Sequence, residues 1–144
     1  EIRDIARYLG LPPSITEREP FPGPGLYIRV VGKPVTAELL EISRWADHRI
    51  RTIVRTTSLS DPFSQLVVGL FAGVKIVGVK GDKRCYGYHI HIRALKSSDF
   101  MTGKGYRFPP EIKQKFEKAL VQHSEITSVG YDEMDKPPRT TEFE

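Results

Sequence analysis

The sequence predicts a two-layer α+β domain, with helices on one face of a mostly antiparallel sheet. Three observations carry this reading. The elements run strand, helix, strands, helix, strand; two segments repeat their apolar residues at helical spacing; and residues 86–95 alternate strictly with a period of two. A further helix and a Pro/Gly-rich loop precede the domain.

Ile2, Ile5, Ala6 and Leu9 have helical spacing, and Gly10 with Pro12-Pro13 stops that helix. The loop closes on Pro20, Pro22, Gly23, Pro24 and Gly25, and residues 26–31 read as a strand. Thr36 caps a long helix with Glu38 in its first turn, where the helix dipole favours an anion. Leu39, Ile42, Ala46, Ile50, Ile53 and Val54 form its buried stripe; Arg44, Asp47, Arg51 and Arg55 lie off it. Asp61-Pro62 marks the next break. Residues 65–80 read as one or two buried strands, and Gly81 to Arg84 as a turn. In the alternating strand Tyr86, Tyr88, Ile90, Ile92 and Ala94 share one face; Gly87, His89, His91, Arg93 and Leu95 share the other. Residues 96–108 are a polar connection. Pro109-Pro110 opens a helix with Ile112, Phe116, Ala119 and Leu120 on its buried stripe, and residues 126–131 form a last strand. Such a sheet has one free face, which a second subunit could cover.

The 144 residues make one domain-sized unit, and 39% hydrophobic content supports one modest core. The aliphatic run at 66–79 is too short and too often interrupted to span a membrane, and no signal peptide is visible. The start at Glu1, without Met and already in helical pattern, reads as a fragment. The single Cys85 excludes an internal disulfide and fits a reducing, cytoplasmic setting. A net charge of +4 favours anionic partners without choosing among phosphates, nucleotides and nucleic acid.

Four places hold candidate chemistry. In PFPGPGL (residues 20–26) the glycines let backbone N–H groups approach a ligand, although Pro/Gly clusters mark turns more often than sites. In the terminal KPPRTTEFE (residues 136–144), Lys136, Arg139, Thr140 and Thr141 are phosphate-binding parts. Yet after Tyr131 five acids face two bases, a net of −3, so a phosphate there needs outside cations, and Arg84 is the candidate. Arg84 otherwise belongs to an ordinary charged turn. His89 and His91 form a same-face pair without a placed third ligand, which favours a surface or interface role over a metal site. Cys85 lacks a nucleophile's partners and reads as a packing residue.

These pieces, in this order, resemble the GMP synthases over nearly the whole chain. The resemblance is carried by LGLP (residues 9–12), PFPGPGL with the following Arg29, and the helix after Thr36. It continues through Gln65, VGVKGDKRCYGY (residues 77–88) and VGYDEMDKPPRTTEFE (residues 129–144). Three positions depart from the family: Phe143 stands where Trp is frequent, Arg139 where a small residue is common, and Cys85 where a hydroxyl residue is usual.

The resemblance implies a division at residue 19. Residues 1–19 would be the end of a preceding ATP pyrophosphatase domain with its linker, and 20–144 a C-terminal dimerisation domain. It implies an enzyme that makes GMP from XMP. A glutaminase domain or subunit (separate in an archaeal-type arrangement) releases ammonia from glutamine. The ATP pyrophosphatase domain, using ATP and Mg²⁺, adenylylates the xanthine 2-oxygen, and ammonia displaces AMP. This chain would supply XMP contacts and a homodimer interface, with no catalytic residue, no metal and no cofactor of its own. By the same resemblance Lys136 pairs with the XMP 5′-phosphate, aided by Thr140 and Thr141. Arg84 reaches substrate, in one arrangement across the dimer. Pro24 and Gly25 line the base or ribose, and Gln65 hydrogen-bonds the nucleotide. Glu142 cannot face a dianion directly; its partner is expected to be its own backbone N–H, a ribose hydroxyl or Lys136.

Two rival readings remain at the level of sequence. A basic α+β nucleic-acid-binding module would use the pI near 9.2, the Gly103-Lys104-Gly105 loop and the aromatic strand. Against it, Tyr86 and Tyr88 share a face with Ile90 and Ile92, a core pattern and not a stacking platform. A purely structural dimerisation domain would touch no ligand at all.

Overall fold

Each of the two long helices bridges a pair of parallel strands, and this places both on one face of a five-stranded sheet. The computed structural model describes residues 2–19, 22–59 and 62–144. Of the expected loop and break, Pro20, Phe21 and Asp61 lie outside the described residues. The elements are α1 (Ile2–Tyr8), α2 (Pro13–Thr16), β1 (Val30–Val31), α3 (Ala37–Thr56), β2 (Gln65–Lys80), β3 (Lys83–Lys96), β4 (Lys104–Gly105), α4 (Pro110–Leu120) and β5 (Ile126–Asp132).

β3 is the hub. It pairs antiparallel with β2 along most of its length and with β4 at its end, and parallel with β5. β1 pairs parallel with β2 at the outer edge. A parallel neighbour requires a crossover, and α3 and α4 supply the two crossovers. The long β2–β3 hairpin keeps antiparallel pairing dominant, as expected. It turns on Gly81-Asp82, with Gly81 at φ +61°, the left-handed backbone that glycine adopts without strain.

α3 begins where expected: Thr36 Oγ1 accepts the Leu39 N–H at 3.3 Å. Leu39, Ile42, Ala46 and Ile50 on α3, and Ile112, Phe116 and Leu120 on α4, pack against Leu66, Val68, Leu70, Ile90, Ile92 and Ala94 of the sheet. Tyr88 joins this core, but Tyr86, on the same strand face, is exposed because the hairpin projects past the helices. Val74, Val77 and Val79 on β2 are exposed for the same reason.

Three expectations change. Residues 26–31 are not a strand. The turn closed by the Gly25 N–H on Pro22 O leads into a 3-10 helix, Gly25–Arg29, and only Val30–Val31 is extended. Asp47 does not lie off the helix stripe but is buried at its flank, where it meets two arginines. The sheet face opposite the helices is not wholly free, because the chain's own C-terminal segment covers part of it. A Cβ at Gly69 would stand 2.5 Å from Phe143 Cδ2, so glycine is what lets that ring lie on the strand. α1 is the opposite case: Ile2, Ile5, Tyr8 and Leu9 are all exposed.

Phe116 is fully buried between α4 and the sheet. Phe116→Ala should lower the unfolding free energy by about 3–5 kcal/mol, read as a reduced midpoint in urea denaturation.

Candidate functional site

Of the residues expected to meet substrate, Lys136, Thr140, Thr141 and Glu142 form one assembled group and Arg84 lies far from it. The assembled group is the C-terminal segment after β5, together with the strands beneath it. Lys136 is tied to the loop before β4 by paired backbone bonds with Gly103, at 2.9 and 2.8 Å. Its Nζ donates to Phe100 O and to Thr141 Oγ1, each at 2.9 Å. Two of the three ammonium donors are thus occupied by neutral oxygens, and no carboxylate is in ion-pair range among the described residues. Thr140 Oγ1 donates to Glu142 O at 2.6 Å, which folds the segment back on itself.

Glu142 has a partner outside the expected set. Arg29 Nε and Nη2 donate to its two carboxylate oxygens, each at 3.1 Å, a two-pronged pairing. Arg29 sits one 3-10 turn beyond Pro24 and Gly25, so the Pro/Gly loop and the terminal segment are joined through this guanidinium. Neither the Glu142 backbone N–H nor Lys136 takes the role expected of it, because a planar guanidinium matches a carboxylate in geometry and charge.

Three acids of the terminal segment, Asp132, Glu133 and Glu142, meet cations from the body of the fold. Arg93 Nη1 donates to Asp132 Oδ1 at 2.9 Å and to Met134 O at 2.7 Å, while its Nε holds Thr140 O at 3.1 Å. Arg139 Nε takes the second Asp132 oxygen at 2.9 Å. Lys113 Nζ meets Glu133 at 2.6 Å, and Asp135 accepts the Gly105 N–H at 2.8 Å. Lys136 therefore stands in a segment where Asp132, Glu133, Asp135 and Glu142 already have partners. Arg84 is not among these cations. It stands exposed at the hairpin tip, twelve positions along β3 from Lys96, the strand end nearest Lys136. At about 3.3 Å per residue that is roughly 40 Å, so one chain does not bring Arg84 to Lys136.

Gln65 opens β2 opposite Leu95 and is buried, with its Oε1 unpartnered among the described residues. Pro24 is exposed and Gly25 half-buried. Sequence reasoning did not assign Arg29, Asp47 or Arg93 to the site. The available signals were an arginine inside a strict strand alternation (Arg93) and the four-residue spacing of Asp47 and Arg51.

His89 and His91 face the terminal segment. His89 Nε2 lies 2.9 Å from His91 Nδ1, and its Nδ1 lies 2.8 Å from Ser128 Oγ. Phe71 and Phe143 pack edge-on around them, with ring centroids 5.4–5.8 Å apart. The two imidazoles bond each other instead of converging on one point. No group of three or more His, Cys, Asp or Glu is placed to hold a metal among the described residues. No helix there is long and apolar enough to cross a membrane.

The fold and this site define a two-layer α+β domain whose terminal segment is ordered by buried arginines and presents a lysine and two threonines. The chain belongs to the GMP synthase C-terminal domain family, whose model matches residues 52–143. It is 41% identical over its full length to a GMP synthase [glutamine-hydrolyzing] of Parafrankia sp. (strain EAN1pec), covering 27% of that protein. It is 42% identical over its full length to the protein of the same name in Corynebacterium ammoniagenes, covering 28%. Against a putative GMP synthase [glutamine-hydrolyzing] of Chlamydia pneumoniae it is again 42% identical over its full length, covering 33%. The chain thus spans between about a quarter and a third of the length of these curated relatives.

Burial lowers the pKa of both histidines below the ordinary 6.5, and the charge of His89 lowers His91 further while Asp132 opposes. Folding therefore favours the neutral imidazoles. Their contribution to stability is complete above pH 6.5 and is lost as the pH falls through the depressed folded values. For Asp132, burial favours the acid form, but the Met134 N–H, Arg139 and Arg93 outweigh it and hold the pKa below 3.8. Its contribution persists above 3.8 and disappears as the pH falls through the depressed value. A melting-temperature profile should decline in two stages, and replacing both histidines with Gln should abolish the first stage alone.

Proposed function

We propose that this chain binds XMP through its C-terminal segment and dimerises, within a GMP synthase that makes GMP from XMP, ATP and glutamine-derived ammonia. The observation that carries the reading is the state of Lys136. Asp132, Glu133 and Glu142 of the segment have cationic partners drawn from the fold, while among the described residues this ammonium meets a carbonyl and the Thr141 hydroxyl. A phosphate dianion is the ligand that such a lysine, with two threonines beside it, suits. Gln65, with its buried carbonyl oxygen unpartnered among the described residues, fits a nucleotide donor. Pro24 and Gly25 open the 3-10 turn that ends at Arg29, the partner of Glu142. Glu142, held by Arg29, serves the shape of the loop or a ribose hydroxyl and not the phosphate.

The remaining chemistry belongs to parts beyond this chain: a glutaminase domain or subunit, and an ATP pyrophosphatase domain that uses ATP and Mg²⁺. Residues 1–19 are the end of that second domain, in keeping with the bare apolar side of α1. The chain supplies no general acid or base, and the enzyme works in the cytoplasm. The bare half of the sheet, along the β2–β3 hairpin, pairs with a second copy. In that dimer Arg84 completes the neighbouring protomer's nucleotide site, the arrangement that its distance from Lys136 within one chain favours. The nucleic-acid reading loses its footing here, since Tyr88, Ile90 and Ile92 face the helices and Tyr86 stands alone.

Lys136→Ala in the whole enzyme should weaken XMP binding by about 10- to 100-fold in calorimetry, the loss of one charge-assisted contact. Unchanged affinity would remove Lys136 from the site. Arg84→Ala and Lys136→Ala enzymes should each be impaired alone, yet mixing and reassembling them should restore activity, because one wild-type pair of residues then meets across the dimer. No recovery would place Arg84 outside the shared site.

A further inference from the structure

Three segments distant in sequence meet along one line of charges. Glu142 of the terminal segment is gripped by Arg29. Arg29 Nη1 donates to Asp47 Oδ1 at 3.3 Å, and the other Asp47 oxygen accepts from Arg51 Nε at 2.8 Å. Arg51 Nη1 pairs with Glu19, just ahead of the Pro/Gly loop, and its Nη2 donates to Leu66 O at 3.1 Å. The second Glu19 oxygen accepts the Leu66 N–H at 3.1 Å. The signs alternate from Glu19 through Arg51, Asp47 and Arg29 to Glu142. Arg29 is 1% exposed and Asp47 8%.

We infer that Asp47 and Arg51 are positioning residues, which transmit the placement of the Glu19 segment to Glu142 and hence to the nucleotide contacts of the terminal segment. The inference rests on the reading of that segment as the XMP site. Among the described residues, Asp47 is the carboxylate that touches both arginines. Its removal splits the line into two separate pairs, Glu19–Arg51 and Arg29–Glu142. Each pair survives, but neither is held in register with the other. Arg29 loses the anchor on α3 that fixes its fork, and Glu142 then moves with it. In a medium of low dielectric such linked charges are strongly coupled, so an end-to-end effect is expected between side chains that never touch. Glu19 adjoins the segment that leads into the Pro/Gly loop, so the line joins the entrance of the domain to its last residues.

The test uses the full-length enzyme. Asp47→Asn keeps the shape and deletes the charge. Without nucleotide, amide hydrogen exchange across residues 140–143 should accelerate about tenfold, as for a segment that opens more easily. The XMP KM should rise about tenfold with kcat within about twofold, and Asp47→Glu should recover part of the loss. Glu19→Gln and Glu142→Gln should be non-additive for XMP affinity, the double variant losing less than the product of the single losses. Unchanged exchange in residues 140–143, or strict additivity of the two glutamate variants, would overturn the inference. Should Asp47→Asn fail to fold, Glu19→Gln at the more exposed end carries the same exchange measurement. If the wild-type enzyme does not bind XMP while exchange still responds to these substitutions, the reading of the site falls and the mechanical tie stands.

Discussion

The guanidinium of Arg93 is the constraint around which the rest of the structure is arranged. It stands near the C-terminal end of β3, the strand that every sheet neighbour except β1 touches, and it is fully buried. A charge in that place is untenable without partners. Asp132 supplies the countercharge from β5, while Met134 and Thr140 supply carbonyls from the segment that follows. Burial pushes the guanidinium pKa down and Asp132 pulls it up, so the two residues depend on each other. Pairing Arg93 through Nε and Nη1 draws the chain after β5 back across the sheet, while Nη2 has no hydrogen-bond partner among the described residues. That return lays Phe143 on Gly69 and brings Glu142 to Arg29.

The same arrangement explains how an acidic segment can carry an anion-binding lysine. An acid near a phosphate is repulsive only while its charge is uncompensated. Here Asp132 lies between Arg93 and Arg139, Glu133 meets Lys113, and Glu142 meets Arg29. Apart from Arg139, which belongs to the segment itself, these cations come from β3, α4 and the 3-10 turn, so the tertiary fold sets much of the segment's electrostatics. A salt bridge of this kind contributes little net stability against a well-packed apolar alternative. Its value lies in direction, since it fixes which way each carboxylate points and leaves Lys136 as the available charge.

Much of the layer architecture was legible before any coordinates. The stripe on α3, the proline start and apolar stripe of α4, and the alternation of residues 86–95 each follow from a local period that burial imposes on helices and strands. The family resemblance was legible for a related reason: its motifs are contiguous and ordered. The site was legible only in part. Lys136 and Thr141 do meet, but they are five residues apart. Arg29 and Glu142 are joined across 113 residues, and nothing in either local pattern announces the other. Asp47 looked solvent-facing on a helical wheel because a wheel does not know which neighbours approach its flank. Residues 26–31 carried strand-forming side chains, yet the tight Pro–Gly turn and the buried Arg29 hold residues 26–29 in a 3-10 helix and leave only Val30–Val31 extended.

The terminal motif thus ends in a different light from the one in which composition left it. By itself the sequence determined the long elements, α3, β2, β3 and α4, with their helical or extended character, and the family, because those rest on short-range periodicity and contiguous residues. Only the tertiary structure decided which charges cancel and which remain. Ion pairing depends on distance through space and on burial, and the chain brings Arg29, Asp47 and Arg93 to the terminal segment from positions that sequence separation conceals.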